Sequence, residues 1–197
     1  TLNYRHVDLD GKTSLMSLAA DKAYEKGMIL VTSAGNEGSK EWQKVSPPAD
    51  AKHALSVGAV GIDSLIAPFS SKGYTADKRL KPDIVSVGKA TITIGQNGLI
   101  GFTNGTSLSS PFMAGLVASL WSANPNLSRA EVIDIVKRSA DRYNRPDSVY
   151  GYGIPDFGKA LKEVLGSLEP HKKRVVEREF SITRSAKERF EVLLTEA

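Results

Sequence analysis

The sequence predicts an α/β fold built on a largely parallel sheet, and three observations point there. A short unbroken apolar run at Met28–Val31 and mostly apolar runs at Ala54–Val60 and Ile84–Val87 read as strands, the first two buried on both faces. Stretches of helical periodicity lie before, between and after them. The connections are of crossover length, as parallel neighbours require. With 197 residues the chain is one domain's worth, long enough to bury about 70% of its unfolded surface.

The elements follow in order. Asn3–Lys12 is polar and reads as a loop, with Asp8 and Asp10 in a surface turn. A helix is expected from about Thr13 to Lys26, with Leu15, Leu18, Ala19 and Ala23 as its apolar stripe and Gly27 as its stop. The first strand, Met28–Val31, runs into Ser33-Ala34-Gly35-Asn36-Glu37-Gly38, where the chain must turn sharply. After the second and third strands, Thr91–Ile94 and Leu99–Phe102 flank Gln96-Asn97-Gly98, a β-hairpin signal. Asn104-Gly105-Thr106-Ser107 is turn chemistry. Pro111 then fits a first helical turn, and the helix to Trp121 is apolar nearly all round, as an interior helix would be. Ser128-Arg129-Ala130-Glu131 is a capping box opening an amphipathic helix to about Ser139. A last helix is expected from about Phe157 to Leu168. Residues 1–168 are read as one unit, and the charged stretch 169–197 as a tail that could begin a further domain.

Composition removes several classes of function. The net charge is +4, with 26 basic and 22 acidic side chains interspersed, so nothing singles out a nucleic-acid partner. No apolar run approaches the 18 residues of a membrane span; the longest, Phe112–Trp121, is interrupted by Ser119. The absence of cysteine excludes disulfides, thiolate-bound zinc and thiol catalysis. His6, His53 and His171 have no paired spacing, so neither a metal site nor any cofactor is expected.

Two polar residues remain as candidates for chemistry. Ser107 stands between a glycine-containing turn and an apolar helix. Its side chain would be held rigidly, its backbone N–H would be free, and the helix terminus would favour negative charge beside it. A serine nucleophile needs those features together with a base. Taken alone, Gly105-Thr106-Ser107 reads as a loop with a helix cap. Asn36 follows a strand of a parallel sheet, at the end where such sheets bind ligands, and its amide could donate to a developing oxyanion. Taken alone, it is equally a left-handed turn residue.

The surroundings change the weight of both. Ser33-Ala34-Gly35-Asn36-Glu37-Gly38, Pro48-Ala49, Val57-Gly58-Ala59-Val60, Phe69-Ser70-Ser71-Lys72-Gly73, Lys81-Pro82-Asp83-Ile84 and Gly105-Thr106-Ser107-Leu108-Ser109-Ser110-Pro111 occur in this order. The series resembles the subtilisin-like serine proteases, or subtilases, over about Leu15–Ala160. That resemblance implies a three-layer subtilisin-like fold, incomplete at its N-terminal side. It implies acyl transfer from a polypeptide substrate, with Ser107 as nucleophile and Asn36 as oxyanion donor. Ser33, Ala34 and Gly35 would form one wall of the pocket for the residue before the scissile bond, with Thr106 among the substrate-binding residues. Pro48 matches a position that is often cis, and the family is usually exported to an extracellular or periplasmic setting. The α/β-hydrolase elbow fits worse, because Gly-x-Ser-x-Gly would need glycine where Ser109 stands.

The resemblance also predicts what this stretch does not hold. In the family order Asp, His, Ser, the first two precede the serine by about 190 and 160 residues. Both distances exceed the sequence before Ser107. His6, in Tyr4-Arg5-His6-Val7-Asp8, lacks the family's histidine context. The expectation is therefore the C-terminal part of a catalytic domain, inactive alone, whose partner is an N-terminal segment carrying Asp and His. The alternatives are one chain of a two-chain protease and a non-enzymatic peptide-binding or structural derivative of the fold.

Overall fold

The computed structural model describes residues 4–168. The expected charged tail, 169–197, lies outside the described residues. Three strands, β1 (Val31–Ser33), β2 (Leu55–Val60) and β3 (Ile84–Val87), form a parallel sheet in the order β1-β2-β3. The hairpin is separate and antiparallel: β4 (Thr91–Ile94) pairs with β5 (Ile100–Thr103). Four α-helices complete the fold: α1 (Leu15–Glu25), α2 (Thr106–Ala123), α3 (Arg129–Ser139) and α4 (Phe157–Gly166). The expected α/β class and largely parallel sheet are what forms.

Alternation along the strands assigns the faces of the sheet. Leu55, Val57 and Ile84 point toward α2 and join Met113, Val117 and Leu120 in the main core. Val132 and Val136 of α3 and Ala160 and Val164 of α4 close it from outside. On the opposite face Gly58 leaves room for the chain segment before β3. A β-carbon there would lie 3.0 Å from both Ser70 Oγ and Val85 Cγ1. Every residue of β2 is buried, as expected of a strand covered on both sides.

Three sequence expectations shift. The first strand starts at Val31, not Met28, and its residues are only half-buried because β2 is its sole pairing partner among the described residues. In α1 the expected stripe of Leu15, Leu18 and Ala19 faces solvent, and the buried face is instead Ser17 and Ala20. Ser17 Oγ donates to Asp50 Oδ1 at 2.6 Å, and Ala20 packs on Ala51 and Ala54. A buried hydrogen bond to a carboxylate thus anchors the inner face of α1. Finally, α2 begins five residues before Pro111, so the proline lies inside the helix, and Pro111, Phe112, Gly115, Ala118, Ser119 and Ser122 form an exposed face. The all-round burial expected of it is therefore not what forms. The Pro47–Pro48 bond is cis, as the resemblance implies.

Candidate active site

The early start of α2 makes Ser107 the second residue of the helix. The N-cap, Gly105, has no side chain with which to satisfy the first helical N–H. The acceptor comes from across the fold: Asn36 Oδ1 receives the Thr106 N–H at 2.9 Å and the Thr106 hydroxyl at 3.0 Å. Thr106 Oγ1 in turn accepts the Gly35 N–H at 3.3 Å. Thr106 is completely buried, so its hydroxyl works inside the protein, tying the end of β1 to the start of α2.

Committing its oxygen to the helix aims the rest of the Asn36 amide. Its Nδ2 donor has no acceptor among the described residues, nor does the Ser107 N–H, which lies in the first turn. The two donors are neighbours: a β-carbon placed on Gly105 would stand 3.6 Å from Asn36 Nδ2 and 3.7 Å from Ser107 N. Ser107 and Asn36 are exposed. A serine hydroxyl, two unsatisfied N–H donors and the positive end of an 18-residue helix therefore share one patch of surface.

The turn carrying Asn36 is braced from a third segment. Ser71 N donates to Gly35 O at 3.0 Å, Glu37 N donates to Ser71 Oγ at 3.0 Å, and Gly38 N donates to Phe69 O at 2.8 Å. Gly35 has φ 114°, and a β-carbon there would lie 2.8 Å from Ser71 Oγ, so conformation and space both require glycine. Ser33 is half-exposed at the end of β1, and Ala34 is buried, its N–H bound to Val57 O. The motif series contained Ser71 without a role for it; its burial and its bond from Glu37 N are known only from the fold.

The histidines are engaged elsewhere. His6 Nε2 lies 3.2 Å from Tyr74 O, and His53 Nδ1 lies 3.1 Å from Asp21 Oδ1 with its ring stacked on Tyr24. His171 is outside the described residues. Asp10 accepts the Lys12 and Thr13 N–H groups at 2.8 Å each, and Asp8 pairs with Arg5, so the Asp8–Asp10 stretch holds a turn.

A second polar cluster lies where β3 begins. Buried Asp83 receives Lys81 Nζ at 2.7 Å, Lys137 Nζ at 2.8 Å, and the Ser56 N–H and hydroxyl. Burial alone would raise the Asp83 carboxyl, but the Lys81 and Lys137 ammonium groups outweigh it and hold it well below the usual carboxylate range. Burial pushes the Lys81 ammonium down, whereas the Asp83 carboxylate keeps that of Lys137 up against its own burial. All these groups are paired, so the cluster is structural.

Comparison with known proteins identifies the family. The sequence profile of the Subtilase family matches residues 6–153. Subtilisin DY of Bacillus licheniformis is 33% identical over 155 residues, covering 78% of this chain and 51% of that protein. Subtilisin E of Bacillus subtilis is 32% identical over 145 residues, covering 73% and 36%. The serine protease AprX of Bacillus subtilis is 29% identical over 157 residues, covering 68% and 35%. The chain thus spans about a third to a half of these relatives' lengths. Among solved structures, the self-cleaved protease domain of PatA superposes with a TM-score of 0.63 at 22% identity, covering 77% of this chain and 56% of that one. At such identity the likeness concerns the fold. The family profile covers most of the chain, and with it the turn of Asn36 and the helix start of Ser107: the chain belongs to the subtilase family of serine proteases.

Proposed function

We propose that this chain supplies the nucleophile and the oxyanion site of a serine endopeptidase. The observation that carries the reading is the proximity of Asn36 Nδ2 and the Ser107 N–H, both without an acceptor among the described residues, beside the exposed Ser107. A peptide carbonyl seated there is attacked by Ser107 Oγ while a histidine takes its proton. The oxygen that becomes negative is held by the two N–H donors. Collapse breaks the C–N bond, the histidine returns the proton to the leaving amine, and water hydrolyses the acyl-enzyme. Ser33 and Gly35 flank the residue on the acyl side, with Ala34 buried between them. Thr106, counted among the substrate-binding residues, contributes by holding Asn36.

The base and its aspartate come, on this reading, from an upstream segment of the catalytic domain. Support comes from the described histidines, both engaged away from Ser107, and from the surfaces left open. Among the described residues β1 has one strand neighbour, Leu15 and Leu18 of α1 face outward, and Phe112 and Ala118 lie on the exposed face of α2. A strand and helices laid there would extend the sheet and cover that face. The assembled protease is read as acting outside the cytoplasm, the setting that the family resemblance implies.

Fluorophosphonate labelling read by intact mass tests this, with Ser107→Ala as control. The expected result is slow or absent labelling of the chain alone and rapid, Ser107-dependent labelling once the upstream segment is joined or added. Rapid labelling of the chain alone would place the base within it. No labelling even with the upstream segment would leave a non-catalytic, peptide-binding derivative of the fold.

A further inference from the structure

Asparagine is followed by glycine at two places, Asn97-Gly98 at the tip of the hairpin and Asn104-Gly105 before α2. Such a pair is chemically labile wherever the chain can bend. The glycine nitrogen, with no β-carbon beside it, can reach the asparagine amide carbon, and asparagine is among the thermolabile residues. The fold treats the two pairs in opposite ways.

Asn104-Gly105 is tied across the structure. Asn104 Oδ1 accepts the Ala90 N–H and Gly105 N donates to Gly88 O, each at 2.8 Å. Gly105 is buried, so bringing its nitrogen onto the Asn104 side chain means breaking both bonds to the segment around β4. Asn97-Gly98 is tied to its own turn. Gly98 N donates to Gly95 O at 2.9 Å, and Leu99 N donates to Asn97 Oδ1 at 3.1 Å. Both residues are exposed, and a β-carbon on Gly98 would have nothing within 4 Å. A side chain held to the N–H two residues on keeps its amide carbon close to the intervening nitrogen, here that of Gly98. The Leu99 N–H also points at the oxygen on which negative charge grows when that carbon is attacked.

We propose that Asn97 is a site of spontaneous modification, deamidating through a cyclic imide, and that the fold protects Asn104. Base removes the Gly98 amide proton, and the nitrogen attacks Asn97 Cγ. The bond from Cγ to Nδ2 breaks, and ammonia leaves with a proton from water. Water then opens the ring at either carbonyl, giving aspartate or isoaspartate at that position; no other reactant is consumed. The isoaspartate route carries the main chain through an extra methylene inside the turn that the Gly95 N to Leu99 O bond closes at 2.9 Å. Modification therefore adds a negative charge at the tip and loosens the register of β4 on β5, which that turn sets.

The test incubates the full chain at mildly alkaline pH, in native buffer and in urea. Fragmentation mass spectrometry of the peptide holding both sites follows acid formation at each, and an isoaspartate methyltransferase with a labelled methyl donor reads the isomer. Native samples are those whose circular dichroism shows the folded chain. In them conversion at Asn97 should be at least about tenfold faster than at Asn104, which must wait for local opening. In urea the two rates should converge, because glycine follows both. Asn97→Gln, whose longer side chain needs a larger ring, should remove most of the methyl acceptance. Equal native rates, or a faster Asn104, would overturn the proposal. So would a native ratio that persists in urea, since local sequence and not the fold would then set it.

Discussion

Two polar clusters sit at opposite ends of the same sheet and are satisfied in opposite ways. Where the strands begin, Lys81, Asp83, Lys137 and Ser56 pair with one another, and the cluster is sealed. Where they end, Asn36 and Thr106 spend part of their capacity on each other and leave Nδ2 and the Ser107 N–H open to solvent. Paired buried charges hold the fold; donors held rigid yet unpaired are available to a reaction. The contrast separates structural from chemical polarity without appeal to either sequence motif.

The sealed cluster should yield the largest effect on stability. Asp83→Ala leaves the buried Lys81 ammonium without its counter-charge and takes the partner from half-buried Lys137, and breaking a buried pair in this way costs about 3–5 kcal/mol. Urea unfolding monitored by circular dichroism measures it, and a loss under about 1 kcal/mol would show the cluster to be dispensable. The pH dependence has a definite sign. The carboxyl of folded Asp83 lies below its unfolded value, so its stabilisation is fully present above about pH 4 and is lost as pH falls through the folded pKa. Asp83→Asn should flatten the acid limb of the stability curve, leaving the neutral-to-alkaline limb to Lys81 and Lys137.

At the open end the expected effect is on rate. Removing a side-chain oxyanion donor lowers turnover about 100- to 1000-fold, a magnitude established in subtilisin itself. Asn36→Ala in the assembled protease should show it, together with about 1 kcal/mol of lost stability, because the same amide caps α2. Asn36→Asp sharpens the comparison. It keeps the capping oxygen and removes the donor, so the melting temperature should hold while the rate still falls. Equal losses of both in the two variants would mean that Asn36 acts only as a cap. Thr106→Val keeps shape and loses the hydroxyl that Asn36 accepts, and a smaller loss of about tenfold in kcat with little change in KM is expected.

Much of the fold was legible because local signals agreed with tertiary ones. The β2 and β3 runs and the Ser128 capping box were placed within a residue or so, and Ser107 and Asn36 stood out at sites where parallel sheets keep their chemistry. What misled was periodicity read without partners. Leu15 and Leu18 mark an apolar stripe on α1, yet the buried face is decided by Ser17 reaching Asp50, a residue remote in sequence. Pro111 suggested a helix start, whereas α2 begins at Thr106, because Asn36 supplies an acceptor that no local rule contains. The link between Asn36 and Thr106 spans 70 positions, so only the folded chain reveals that each orients the other.

The smallest effect isolates that difference between a local and a borrowed cap. Helix α3 is capped from within its own sequence: Ser128 Oγ accepts the Glu131 N–H at 3.3 Å, and Glu131 Oε2 accepts the Ser128 N–H at 2.7 Å. Ser128→Ala should therefore cost about 1 kcal/mol, an ordinary capping value, seen as a fall in melting temperature. It should leave Ser107 labelling in the assembled protease untouched, because nothing in that cap reaches the oxyanion site. Helix α2 has handed the same task to Asn36, so any change of cap there alters stability and rate together. If Ser128→Ala also slowed labelling, the two ends of the α2–α3 unit would be coupled, and the division between sealed and open polar groups would have to be redrawn.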